Sequence, residues 1–183
     1  MTAVALVKKS DNSDVQAAFA QAEKHFGHVP NLVRALGSNA AMCRTITAFM
    51  VQSLQDGRVP WKFKEIVILK TLASNHSHYS YGAHEALALA LGNSPSKVGA
   101  VSNSLWKVSS EYSDAEKNVL ELVTQIARDA NDVSDELWDR LRKDWDAGQL
   151  VELDALITTF ILIGKMGDTL GVAEPVLFTR KVA

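Results

Sequence analysis

Glu65, Ser77, Ser80 and His84 are the residues of this chain whose types and spacing could do chemistry together. A carboxylate that accepts a hydrogen bond from one imidazole nitrogen fixes the tautomer of the ring and leaves the other nitrogen to take or deliver a proton. Glu65 is expected to orient His84 in this way, and His84 to address Ser80 one helical turn away. One chemistry open to such a set is acid–base catalysis by Glu65 and His84, with Ser77, Ser80 and the neighbouring Tyr79, Tyr81 and His78 holding a substrate. A second is nucleophilic attack by Ser80, although a helical i, i+4 placement provides no oxyanion hole of its own. A third reading is a polar network that satisfies buried groups and catalyses nothing.

These residues need a turn to bring them together. On one straight helix Glu65 and Ser77 would stand about 18 Å apart along the axis, too far to cooperate. A reversal near Ser74-Asn75 puts Glu65 about nine residues before the turn and His84 about nine after it, so an antiparallel pairing sets them at one level. Pro60 suits the first turn of the first arm, where a missing N–H costs nothing. The second arm is predicted from about Ser77 to Leu91, where Gly92 stops it, with Ser77, Ser80 and His84 at i, i+3 and i+7 on one face.

The rest of the chain supplies supporting helices. Ser13-Asp14-Val15-Gln16 reads as a capping box opening a helix over about 14–26, with Gly27 as its stop. Further segments are predicted over 31–36 and 39–55, and Ser94-Pro95, Ser113 to Glu116 and Ser134 to Glu136 each open another. The last, about Gly148 to Leu170, is apolar almost all the way round between Leu153 and Ile163, which predicts burial at or near a subunit interface. No run alternates apolar and polar residues, so the chain is expected to be all-α, a single domain over 1–183 with a core of about 27–171.

A helical glutamate, a pair of residues spaced as in C-x-x-C, and a following histidine resemble the site of carboxymuconolactone decarboxylases and their alkyl hydroperoxidase D-like relatives. The resemblance extends over Gly27-His28-Val29-Pro30-Asn31-Leu32, the run from Lys64 to Lys70, and the run from Gly82 to Gly92. It implies a compact helical domain built on a central helical hairpin, assembled as trimers or as groups of trimers. In thiol-containing members of the family the glutamate–histidine relay activates a cysteine; here Ser77 and Ser80 stand in the thiol positions. Oxygen forms neither a sulfenic acid nor a disulfide, so a dithiol peroxidase cycle is not expected. The leading expectation is cofactor-independent acid–base chemistry on a small organic acid or lactone. The alternatives are an alkyl hydroperoxidase-like, peroxidase-related homologue that has lost its redox cysteines, and a non-catalytic oligomeric or ligand-binding protein.

Composition narrows the partners. The chain has 183 residues, 47% of them hydrophobic, enough for one substantial core. Its 19 lysines and arginines nearly balance 21 acidic residues with no basic block, which argues against nucleic acid and anionic membrane and leaves a small molecule and other copies of the chain as the expected partners. At the N-terminus the charges follow a very short apolar run, the reverse of a secretory signal, and a cytoplasmic location is expected. The apolar run from Ala155 to Gly164 is shorter than the roughly 20 residues of a membrane span.

Cys43 is the only cysteine and fits a packed apolar position. His76 and His78 would point about 200° apart on a helix, so no metal site is expected from them with His84. His25 and His28 flank Gly27 and read as surface or connector residues, and Trp138 and Trp145, seven apart, read as sharing one helix.

Overall fold

The computed structural model describes residues 2–173. Its helices are α1 (Ser13–Phe26), α2 (Asn31–Leu36), α3 (Ala40–Ser53), α4 (Trp61–Ser74), α5 (Tyr81–Ala90), α6 (Pro95–Val101), α7 (Asp114–Arg128), α8 (Asp135–Asp144) and α9 (Ala147–Thr169), with short 3-10 turns at Ser104–Lys107 and Ala130–Asp132. Among the described residues there is no strand, so the fold is all-α.

Most helix starts follow local chemistry. Ser113 and Glu116 form a capping box at α7, Ser94 caps α6 ahead of Pro95, and Ser134 caps α8. At α1 the cap lies one residue earlier than the sequence pattern suggests: Asn12 accepts from the N–H groups of Asp14 and Val15, and Ser13 is already helical. Trp145 lies just beyond α8 rather than on it, and there it stacks on Phe63 of α4 at 5.7 Å.

The centre of the molecule is α4, whose residues from Phe63 to Leu72 are all buried. It packs against α5, α7 and α9, which explains why its apolar residues follow no single stripe. The charge of the fully buried Lys64 is compensated by Glu152 of α9 at 2.5 Å and by the Gln55 carbonyl at 2.8 Å.

α9 is, among the described residues, the one helix long and apolar enough to cross a membrane. Leu153, Leu156, Ile157, Phe160 and Ile163 instead fill the core of the chain's own fold. Packing within the chain accounts for the apolar character of this stretch. Its bulky residues are covered by α3 and α4, and only an outer strip containing Val151 and Leu162 is exposed.

Candidate active site

Glu65 stands one turn into α4 and His84 one turn into α5. Across the hairpin Glu65 Oε2 lies 2.8 Å from His84 Nδ1, and both residues are buried. The carboxylate oxygen accepts, so in the neutral ring Nδ1 carries the hydrogen and Nε2 the lone pair. Trp61, one turn before Glu65, donates its indole N–H to Glu65 Oε1 at 2.9 Å. With both oxygens held, the carboxylate has a fixed orientation. Phe160 of α9 meets the His84 ring edge-on, with centroids 4.9 Å apart, and fixes the imidazole from the other side.

The turn between the two arms departs from expectation. Ser77 does not begin a helix: α4 ends in a Schellman arrangement, with the Ser77 N–H on the Leu72 carbonyl, the His76 N–H on the Ala73 carbonyl, and His76 in the left-handed region at φ 53°. His78 and Tyr79 then donate their backbone N–H groups to Asp168 Oδ1 of α9, at 3.2 and 3.0 Å. This ties the turn to the last helix. α5 starts only at Tyr81, with Ser80 as its N-cap residue at φ 58°. The predicted i, i+3, i+7 face of Ser77, Ser80 and His84 does not exist, because four capping and tertiary bonds favour a turn over a further helical turn.

The residues separate accordingly. Ser77 is buried against α9, where a Cβ on Gly164 would lie 2.9 Å from its Oγ. Ser80 and His84 both line a cavity of about 40 Å³, and Tyr79 joins them from the turn. Tyr79 fits only because Gly167 lacks a side chain; a Cβ there would stand 2.3 Å from Tyr79 Cγ. Tyr81 is directed to Ser102 instead, and burial raises its phenol pKa above the usual value. His78 is exposed and lies outside this cavity. His76 is an exposed turn residue.

The remaining walls are Phe26, Pro30, Met50, Leu54, Ala83, Phe160 and Ile163, together with His28. Among the described residues no lysine or arginine lines the space. Ser80 Oγ is buried and has no hydrogen-bond partner among the described residues. A strained backbone and an unsatisfied hydroxyl beside an oriented imidazole are the features that set this cavity apart from ordinary core packing.

His28 was not legible as a site residue, since nothing in Gly27-His28-Val29-Pro30 indicates which way the connector folds. Trp61 was legible in principle, because i, i+4 spacing from Glu65 places the two on one face of a helix. Phe160 had no local signal. Cys43 is buried, donates to the Val33 carbonyl at 3.7 Å, and has its thiol pKa pushed up by burial. Among the described residues no group of three or more His, Cys, Asp and Glu side chains could hold a metal ion.

Residues 40–125 match the carboxymuconolactone decarboxylase family. No curated protein matches the chain. Among solved structures the chain is similar to a cysteine-to-alanine variant of the debrominase Bmp8 in complex with 2,3,4-tribromopyrrole, at TM-score 0.80 and 17% identity over 96% of this chain and 92% of that one. It is similar to a peroxidase-related protein from Silicibacter sp. TM1040 at TM-score 0.80 and 15% identity, over 98% and 94% of the two chains. A third likeness is to an alkylhydroperoxidase AhpD core protein, also peroxidase-related, from Ralstonia eutropha JMP134, at TM-score 0.74 and 18% identity, over 90% and 86%. At these identities the structural likenesses are likenesses of fold.

Proposed function

We propose, from the match of residues 40–125 to the carboxymuconolactone decarboxylase family and the fold shared with alkyl hydroperoxidase D-like structures, that Glu65 and His84 carry out cofactor-independent acid–base chemistry on a small organic acid or lactone. The supporting observation is the 2.8 Å contact of buried Glu65 with His84, which lines an apolar cavity. In this reading His84 Nε2 removes a proton from a carbon beside a carbonyl, and Glu65 stabilises the imidazolium that forms. The proton is then returned at the same or a neighbouring carbon. The cavity of about 40 Å³ exceeds the roughly 10–15 Å³ that one water needs, so it takes a reacting head group of a few atoms. The debrominase relative binds a small halogenated ring, which supports a compact, mostly apolar ligand body here.

Deuterium incorporation tests the reading. Small oxo acids and lactones incubated with the protein in heavy water should exchange hydrogen beside the carbonyl, as followed by proton NMR. Glu65→Gln and His84→Gln should keep the helical circular dichroism and lose exchange, whereas Ser80→Ala should lower it mildly. No exchange across the panel, or undiminished exchange in His84→Gln, removes the reading.

The backbone of Ser80 favours a second reading, in which its hydroxyl is a nucleophile. Its left-handed conformation brings a buried Oγ, without a partner among the described residues, to the cavity that His84 lines. This reading requires Ser80→Ala to be as damaging as His84→Gln, and it requires covalent labelling of Ser80 by a fluorophosphonate. We also propose that the working form is a cytoplasmic homotrimer or hexamer.

A further inference from the structure

We infer that His28 is the carboxylate-binding group of this cavity, holding the acid head of a small monocarboxylate together with the Ser80 hydroxyl; this rests on the reading of the cavity as a substrate site. The argument begins with charge. A carboxylate placed among apolar side chains needs a paired positive charge. Among the described residues no lysine or arginine lines the cavity, and the cationic groups they offer it are imidazoles. His84 is poorly placed for this, because any charge on its ring is already compensated by Glu65 at 2.8 Å. The Glu65 carboxylate would also repel a second anion at that end.

His28 has the opposite surroundings. Its Nδ1 lies 3.2 Å from the Phe26 carbonyl oxygen, which can only accept, so Nδ1 carries a hydrogen and the ring presents Nε2 as its remaining polar atom. A carbonyl has no formal charge, so the charge of a protonated His28 stays available to a ligand. The backbone holds the ring in place: Gly27 is left-handed at φ 77° and donates to the Glu23 carbonyl, and Pro30 fixes the other end of the connector. His28 is half-buried among the residues that line the cavity. Ser80 Oγ, buried and without an acceptor among the described residues, supplies a second donor. The head of an organic acid would then lie at the His28 end, with its neighbouring carbon towards His84. His28 lies outside residues 40–125, which match the family.

The test compares furan-2-carboxylate with its neutral isostere furan-2-carboxamide, titrated into the full chain at slightly acidic pH and followed by NMR. Wild-type protein should prefer the carboxylate by about tenfold or more, with the His28 ring resonances shifting for the carboxylate and not for the amide. In His28→Gln the preference should collapse to within about twofold while amide affinity stays unchanged. Should the variant not fold, the wild-type ring shifts decide alone. Failure of the folded wild type to bind the carboxylate, carboxylate preference retained in His28→Gln, or unshifted His28 resonances each overturn the inference. Exchange activity that needs His84 but not His28 leaves the acid–base reading standing and removes this one; carboxylate preference that needs His28 without any exchange does the reverse.

Discussion

Glu65 and His84, nineteen residues apart in the chain, meet at 2.8 Å in a site where Glu65 has no solvent exposure. A buried carboxylate needs all of its acceptor capacity used, and Trp61 takes the second oxygen. Trp61→Phe should therefore cost about 1–3 kcal/mol through the orphaned oxygen alone, as read by urea denaturation. A change below about 0.5 kcal/mol would mean that another donor replaces the indole.

Hydroperoxide reduction through a dithiol cycle should be absent, because Cys43 is the chain's only cysteine. Burial raises its pKa, so little thiolate forms and Ellman's reagent should leave the native protein unreacted while titrating one thiol per chain in denaturant. Dithiol-dependent peroxide turnover that survives Cys43→Ser would contradict this account.

Gly167→Ala should be destabilising, since the new Cβ would stand 2.3 Å from Tyr79 Cγ. Overpacking of this kind costs about 1–3 kcal/mol. The double variant with Tyr79→Ala should show a non-additive, smaller loss than the sum of the two single changes. Strict additivity would place Tyr79 elsewhere in solution.

The Lys64–Glu152 pair predicts an acid limb in stability. Burial alone would raise the Glu152 pKa, but Lys64 and the backbone N–H groups of Arg58 and Val59 outweigh it and hold the carboxyl below its usual value. A group with a depressed folded pKa binds protons more readily in the unfolded chain, so its stabilisation is present above about pH 4.3 and is lost as the pH falls through the lower, folded value. Glu152→Gln should remove that limb and cost about 3 kcal/mol at neutral pH by leaving the buried Lys64 ammonium uncompensated. Chemical denaturation between pH 3 and 7, on the order of the range where carboxylates titrate, separates the two effects.

Assembly is expected to depend on the outer strip of α9, and the core side of that helix to govern folding. Leu162 is 40% exposed whereas Phe160 is 0% exposed. Leu162→Glu should dissociate a trimer or hexamer in light scattering with the helical signal intact, and Phe160→Ala should cost about 3–5 kcal/mol whatever the oligomeric state. A wild-type monomer at micromolar concentration would refute the first half.

The helices themselves were written locally. Ser113 with Glu116, Ser94 with Pro95, and Ser134 announce helix starts through orphan N–H groups that a nearby side chain can satisfy, and such bonds need no distant partner. The hairpin pairing of Glu65 with His84 was legible too, because a reversal near Ser74 leaves equal arm lengths on either side. The course of Ser77 to Ser80 was decided elsewhere. Asp168, some ninety residues on, draws the His78 and Tyr79 N–H groups out of any helix, and Gly164 and Gly167 leave the space into which Ser77 and Tyr79 pack. The same holds for His28 and Phe160, which reach the cavity only through the tertiary placement of the α1–α2 connector and of α9. Periodicity and capping encode interactions between residues within a few positions of one another; which residues share a cavity depends on contacts between distant segments, whose energies appear only once the whole chain is packed.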